Sequence, residues 1–429
     1  MDSPEARAPL DLPWLFGGQG MSVLALVTLV AAAASGTDVA LIGGCLLAIG
    51  LLARGWAAVA LARVEYRRRP LATRLFCGET LAIETSLANT KPLPLVWAEV
   101  WERLPLALEP DGELEGSPTH AGTAWVRQGA AVWPYRRVRW QRRLACTRRG
   151  AYMLSEQWVR VGDPFGLSER QIQASDRTEV VVYPRVVPLR RLGLPLHHPS
   201  LDAVSARSPA TDPTRTAGLR DYQPDDPLKL IHWPTTARRG SLQVRVLEPA
   251  TSLRVSLVLD VRGFWLGVYR EKLLELAISA LASIAVYLHE QGQPVGLLAN
   301  TDPPLEIRPG ASVSQVQQIL EALARLQAAP SVPLLPWVLG PLPRGSTAVL
   351  ATSDVTPNLE MHLETLTDAG CRVLPVLASS GTTRSLGPRW PNVVRLAPDS
   401  DLTTVLEGAA RDGGEGGSRG AQRPLGNVP

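Results

Sequence analysis

His232, with Asp225 and Asp226 a few residues before it, carries the residue types of half a hydrolytic relay. An imidazole can take a proton from a nucleophile when a carboxylate orients it. No G-x-S-x-G accompanies His232, and no cysteine lies near it in the sequence. Flanked by Ile231 and Trp233, His232 reads instead as a turn residue held by local hydrogen bonds. A second candidate is Asp260, at the end of an apolar run, with Asp354 in ATSD as a second acidic residue. A hard dication needs several oxygen ligands at once, which a D-x-S-x-S loop supplies. Here the two hydroxyl positions hold Arg262 and Phe264, and a guanidinium repels a dication. Asp260 and Asp354 therefore form a degenerate position, and an ion pair between Arg262 and an acidic neighbour is the expected substitute. Cys45, Cys77, Cys146 and Cys371 form no CxxC pair; HExxH and Walker A sequences are absent too. The expectation is a protein without catalytic site, metal or cofactor.

The elements that would carry these residues change character along the chain. From Leu71 to about Val187 the pattern is β: TLAIETSLANT alternates apolar and polar residues, and VWAEVWERLP, AWVRQGAAVW and SEQWVRVGD follow at strand spacing. A loop around 110–122 interrupts them. Short strands at this spacing predict a β-sandwich or small barrel over 70–190, the Ig-like sandwich being the favoured reading. From about Leu253 strands and helices alternate. LRVSLVLD, PVGLLAN, PPLEIRP, STAVLATSD and CRVLPVLA read as strands. YREKLLELAISALASIAVYLHEQG, closed by Gly292, VSQVQQILEALARLQ and NLEMHLETLTDAG read as helices. That predicts a mainly parallel, doubly wound α/β domain over 253–410, the fold class thus being α/β plus all-β behind a helical anchor. A polar tail, 411–429, is expected to be disordered.

The anchor is read from two apolar stretches after a short tail, 1–14. They run from about Leu15 to Ala34 and from about Val39 to Ala62, separated by Ser35, Gly36, Thr37 and Asp38. Each approaches the roughly 20 residues that cross a bilayer, so 15–66 reads as a transmembrane helical hairpin. Arg54 interrupts the second stretch, which either spans or ends near Ala53 with Trp56 at headgroup level. A cleaved signal peptide fits poorly, because there is no basic n-region. Arg63, Arg67, Arg68 and Arg69 follow the second helix, whereas the turn carries no basic residue. The positive-inside tendency places the soluble domains in the cytoplasm, on the inner membrane.

Of the 44 basic residues, three are lysine (Lys91, Lys229, Lys272), and 37 prolines and 36 glycines accompany them. This reads as the codon bias of a GC-rich bacterial genome, not as a nucleic-acid surface. Arginines at 136, 137, 139, 142, 143, 148 and 149 form either the solvated side of two adjacent strands or a basic face. If the face has a role, the nearby membrane is its target.

Between the two domains, 191–252 combines a linker with GLRDYQPDDPLKLIHWPTTARRGSLQVRVLEP. Asp226 and Pro227 predict an N-cap and first helical residue, with LKLIHW forming one or two turns. Pro234 should end that piece, Thr235 or Thr236 cap the next turn, and Gly240 close it. Asp221, Asp225 and Asp226 beside Arg220, Arg238 and Arg239 predict an ion-pair network. Arg220, Tyr222, Pro224, Asp225, Asp226, Ile231, Trp233, Ala237, Arg238, Gly240, Leu242, Val244 and Glu248 follow the pattern R-x-Y-x-P-G-D-D-x-R-x-I-x-W-x-x-[TS]-A-R-x-G-x-L-x-V-x-x-x-E. On this stretch, with DPFGL at 163–167 and VVYPRV at 181–186, the chain resembles the bacterial domain-of-unknown-function family fifty-eight (DUF 58). It departs in lacking the glycine after Pro224, in Lys229 where arginine is usual, and in His232 where aspartate is also common.

The resemblance implies a von Willebrand A-like α/β domain and a membrane-tethered partner of a MoxR-type AAA+ ATPase. It also implies transglutaminase-like membrane proteins as further partners, and a role in maturation or assembly of other proteins. Arg220, Tyr222, Pro224, Asp225, Asp226, Ile231, His232, Trp233, Arg238 and Gly240 are then the candidate partner-binding residues. Two other classes stay open: a metal-dependent adhesion-type binder displayed outside the cell, and an unrecognised hydrolase centred on His232.

Overall fold

The computed structural model describes residues 37–110, 122–164, 169–174, 176–192, 211–249 (without 225 and 227), 254–265, 269–328, 333–342, 345–353, 358–380 and 393–408, with isolated positions 23, 27, 28, 30, 386 and 390. Most of the first expected membrane stretch, the polar tail, residues 165–167 of DPFGL, Asp225, Pro227 and Asp354 therefore lie outside the described residues. The chain divides into two compact units, Met1–Arg185 and Val186–Pro429.

The first unit opens with helix α1 (Thr37–Ala60). It runs unbroken through Arg54, and Leu41, Ile42, Leu51, Leu52 and Val59 on it are exposed. Its last turn does not lie along a surface. Ala60 is buried and half-buried Trp56 packs beside it, against Leu87, Leu95, Ala98, Val132 and Val161. Strand β1 (Val64–Pro70) follows at once, earlier than the alternation from Leu71 predicts. The arginine run lies in this strand, so alternate side chains face opposite ways. Arg67 and Arg69 are exposed; Arg68 is buried and donates from Nη2 to the carbonyls of Leu154 (2.7 Å) and Asp176 (2.9 Å).

The remaining strands are β2 (Arg74–Phe76), β3 (Thr80–Asn89), β4 (Leu95–Pro105), β5 (Leu108–Pro110), β6 (Thr123–Val132), β7 (Arg137–Cys146), β8 (Gly150–Leu154), β9 (Gln157–Gly162), β10 (Glu169–Ala174) and β11 (Thr178–Tyr183). They form sheets in the orders β1-β3-β7-β5, β10-β9-β4-β6 and β2-β11-β8. The two four-stranded sheets share a core, with Leu87 from one meeting Leu95, Val100 and Val159 from the other. In β7, Arg137, Arg139 and Arg143 are exposed, while Val138 and Trp140 turn toward that core. These exposed arginines thus share one face of the strand, opposite Val138 and Trp140.

In the second unit, β12 (Thr211–Asp221) and β13 (Gln243–Pro249) form an antiparallel pair. Between them lie a 3₁₀ turn (Leu228–Leu230) and helix α2 (Trp233–Arg239). The unit continues through β14 (Val255–Leu259), a 3₁₀ turn (Val261–Phe264), α3 (Arg270–Glu290), β15 (Val295–Ala299), β16 (Leu305–Gly310), α4 (Val313–Arg325), α5 (Leu334–Trp337), β17 (Thr347–Ser353), α6 (Leu359–Asp368), β18 (Arg372–Ala378), β19 (Val394–Leu396) and α7 (Leu402–Gly408). The sheet order is β16-β15-β14-β17-β18-β19, parallel except for the edge strand β16.

Helices cover both faces. Strands buried on both sides read as continuous apolar runs, and β14, β15 and β17 are buried at every position. Val258 and Leu350 pack with Leu334, Leu359, Leu363 and Leu366 of α5 and α6. α3, α4 and α7 pack together, with α3 crossing β14, β15, β17, β18 and β19. Two described helices are long and apolar enough to cross a membrane, Leu41–Ala60 and Arg270–Glu290. The second is the central helix of this layer, with 67% of its apolar window buried, against 19% for the first.

Candidate functional site

The signature segment builds a compact hairpin. Arg220, near the end of β12, reaches across the turn and donates to both carboxylate oxygens of Asp226, at 2.7 and 2.5 Å. Asp226 Oδ2 also accepts from the Gln223 amide at 2.9 Å. The Arg220 guanidinium, and after it the Gln223 amide, hold the Asp226 carboxyl below its ordinary value. Pro224 sits in this turn, and its carbonyl faces the Tyr222 hydroxyl at 3.4 Å. Asp221 pairs with Gln243 Nε2 instead of an arginine. Arg238 is exposed at the end of α2, and Arg239 Nη1 lies 3.5 Å from Gln243 Oε1. Among the described residues the expected ion-pair network comprises the Arg220–Asp226 pair and a set of amide bonds; Asp225 lies outside them.

The helix signals also resolve differently. LKLIHW forms a single 3₁₀ turn, because Ile231 leaves helical geometry to bridge Val244 of β13. The N-cap of α2 is His232. Its amide donates to the Gln243 carbonyl, and its Nδ1 accepts from Thr235 N at 3.3 Å while also meeting Thr235 Oγ1 at 2.8 Å. Pro234 therefore sits in the first turn, where its missing N–H is harmless, rather than ending a helix. Gly240 closes α2 in the left-handed region, as expected, with φ of 71°. His232 is a cap with its ring engaged locally. Trp233 next to it is 65% exposed, Leu228 69% and Leu242 41%. These apolar side chains, like Arg238, are open to solvent.

The second candidate site lies at the carboxyl edge of the large sheet. The chain leaves β14 for β15 and β16 on one side, then crosses back to β17 on the other. Crevices at such a reversal are where open α/β sheets bind ligands. Asp260 follows β14 here, Asn300 follows β15, and Thr352 and Ser353 end β17. Asp260 Oδ1 accepts from Asn300 Nδ2 at 2.8 Å, and Oδ2 from Thr352 Oγ1 at 2.9 Å. Asn300 Oδ1 in turn accepts from the Val261 amide at 2.7 Å, and Ser353 Oγ donates to the Gly263 carbonyl. All four side chains are buried. A Cβ on Gly263 would stand 2.8 Å from Thr352 Oγ1 and 3.1 Å from Asp260 Oδ2, so the loop backbone closes over the carboxylate.

Arg262 is exposed and Phe264 is buried in the core. Among the described residues, Asp260 takes the amide of Asn300 and the hydroxyl of Thr352 rather than Arg262; Asp354 lies outside them. A carboxylate faced by an amide N–H, with phenyl and guanidinium at the hydroxyl positions, is a donor set that does not fit a hard cation. No cluster of three metal-ligating acidic, histidine or cysteine side chains occurs among the described residues. His362 on α6 lies within electrostatic range of Asp260; burial lowers its pKa and the carboxylate acts the other way. Sequence reading missed both Asn300 and His362. The one available signal was a polar residue closing the apolar run PVGLLAN.

The hairpin and the sheet through most of β18 fall in a single matched stretch. Residues 218–377 match the family Protein of unknown function DUF58. A curated relative, the Uncharacterized protein YeaD of Bacillus subtilis (strain 168), is 27% identical over 227 residues. That match covers 52% of this chain and 53% of YeaD, so the chain spans about half the length of the relative. Among solved structures, proximal thread matrix protein 1 from the mussel byssus is similar at 9% identity and a TM-score of 0.28, covering 37% of this chain and 46% of that one. A cohesin module from a Clostridium perfringens family 33 glycoside hydrolase matches at 10% identity and a TM-score of 0.21, covering 28% and 96%. Likenesses at these TM-scores carry no argument about fold or function. The DUF58 stretch begins at the hairpin and includes Asp260, Asn300, Thr352 and Ser353.

Proposed function

We propose that this chain is a membrane-anchored docking protein without a catalytic site, working with a MoxR-type AAA+ ATPase in the maturation or assembly of other proteins. The observation that carries this reading is a contrast within the DUF58 stretch. At the carboxyl edge Asp260 is buried, closed over by Gly263 and hydrogen-bonded through both oxygens. On the hairpin, Trp233, Leu228 and Arg238 are all exposed to solvent. Tryptophan and arginine are enriched in binding hot spots. The chemistry-bearing position is closed and the contact-bearing surface is open.

The strand order, with an acidic residue at the end of β14, supports reading the α/β domain as von Willebrand A-like with a degenerate metal loop. Two four-stranded sheets over one core support an Ig-like reading of the β-domain. In this account α1 is the second helix of an inner-membrane hairpin that begins with 15–34. Arg63, Arg67 and Arg69, just past the end of α1, favour a cytoplasmic position for both soluble domains. The test is affinity purification of the full chain from solubilised membranes, with mass spectrometry of co-purifying proteins. Recovery of an AAA+ ATPase is expected; repeated recovery of none, from intact folded chain, overturns the partnership.

A further inference from the structure

The end of the β-domain that receives α1 also carries the most exposed aromatic side chains described in that unit. Trp133 is 70% exposed and Tyr135 69%. They sit in the tight turn between β6 and β7, closed by the Arg136 amide donating to the Trp133 carbonyl at 3.1 Å. Pro134 occupies its second position, and Tyr135 its third at a φ of 55°. Glycine is the residue such a position favours, so local folding gives no reason for a tyrosine there.

Hydrogen bonds tie this turn to the end of the helix. Asn89 Nδ2 donates to the carbonyls of Leu93 (2.9 Å), Val132 (3.2 Å) and Trp133 (3.4 Å), and its backbone N–H to that of Arg136 (2.9 Å). Thr90, next in the chain, donates from Oγ1 to the Arg63 carbonyl at 2.8 Å. Lys91 is buried and donates from Nζ to the carbonyls of Ala60 and, at 3.0 Å, Ala62. A cation there satisfies the carbonyls that a helix end leaves open and opposes the negative end of its dipole. Strand register agrees: Val64 faces Asn89, and Ala88 faces Arg137. The end of α1, Arg63, the 90–94 loop and the Trp133–Arg136 turn therefore share one end of the domain.

Helix length then places that end. The last turn from Trp56 to Ala60 packs against the β-domain, leaving Thr37–Gly55 to cross the hydrocarbon. At about 1.5 Å per residue this is about 28 Å, just short of the roughly 30 Å a bilayer core requires. No spacer remains, so if α1 spans, the domain end touches the headgroups. Arg54 then stands at the edge of the bilayer, not in its middle.

We propose that the Trp133–Arg137 turn is a membrane foot. Resting on the anchoring role of α1 proposed for this chain, it inserts Trp133 and Tyr135 into the interfacial layer, where amphipathic rings are favoured, while exposed Arg63, Arg136 and Arg137 meet anionic headgroups. Together with the Lys91 cap it fixes the β-domain against the membrane instead of letting it swing.

The test uses the full chain in nanodiscs of phosphatidylethanolamine and phosphatidylglycerol, with a benzophenone amino acid placed singly at 51, 133 or 148. Position 51 reports α1. Arg148 is exposed beyond the far end of β7, a strand that at about 3.4 Å per residue puts Cys146 roughly 30 Å from Arg137. Lipid adducts at 51 and 133, several-fold above those at 148, are the expected result. Adducts at 51 with none at 133, or a protein adduct at 133, overturn the foot while leaving the anchor intact. No lipid adduct at 51 removes the membrane reading itself, and the foot with it.

Discussion

Asn300 donates its amide hydrogen to Asp260 Oδ1 over 2.8 Å, and that bond occupies the carboxylate at the point where an open α/β sheet would otherwise present it to a ligand. The amide is held in turn by the Val261 backbone, so its orientation is set from both ends. Asn300→Leu should leave a buried charge short of a donor and cost about 1–3 kcal/mol of stability. A fall in melting temperature reports this. The same melt with a chelator present should not move, and a chelator-dependent fall would contradict the reading of the loop as a degenerate metal site.

The Arg220–Asp226 pair makes hairpin order pH-dependent in a known direction. Asp226 titrates below its ordinary value of 3.8 because Arg220 and the Gln223 amide bind its charged form. A carboxylate depressed by folding contributes stability that is complete above that value and lost as pH falls through the folded one. Hydrogen exchange at the Gln223 amide should stay protected from neutral pH to about pH 4 and lose protection in stronger acid. Asp226→Asn should remove this dependence. Protection that ignores both acid and the substitution would contradict the pair as the turn's lock.

His362 predicts a second, higher window. Burial favours its neutral form, so its pKa is lowered from 6.5. Below pH 6.5 the unfolded chain takes up the proton first, and stability declines as pH falls toward the folded value. Melting temperature should therefore drop on acidification from about pH 7, and drop less in His362→Gln. Identical profiles for the two proteins would contradict this assignment.

Lys91 predicts a mechanical effect. Burial pushes its amine below the usual lysine value, yet the ammonium is held by the carbonyls at the end of α1. Lys91→Met keeps the packing and removes the cap, at a cost of about 1.5–3 kcal/mol. Amides of the last α1 turn should exchange faster while the β7 core is unchanged. Equal exchange throughout would show that the cap does not hold the junction.

Elements with strong local periodicity were legible in the sequence: α3 and α6 with their glycine ends, α4, and the apolar strands β14, β15, β17 and β18. Gly240 closes α2 as its position implies. The failures have a common cause, since each depended on a partner distant in sequence. Strand β12 carries Pro213 and Gly218 and little alternation, and its pairing with β13 is irregular between Thr211 and Gly218. Ile231 left the helix for Val244. Asp260 found Asn300 and Thr352 rather than Arg262, and Lys91 found the end of α1. Arg68 looked like one of a run of topological charges, and only pairing in β1 turned it inward.

The central claim, an open docking face beside a closed chemical site, is tested most directly by comparing partner recovery with and without Trp233. The full chain and its Trp233→Ser variant are purified from solubilised membranes, and the co-purifying AAA+ ATPase is quantified by mass spectrometry at matched melting temperature. Because Trp233 is largely exposed, the variant should fold normally and lose most of the ATPase. Undiminished ATPase with the variant would contradict the account.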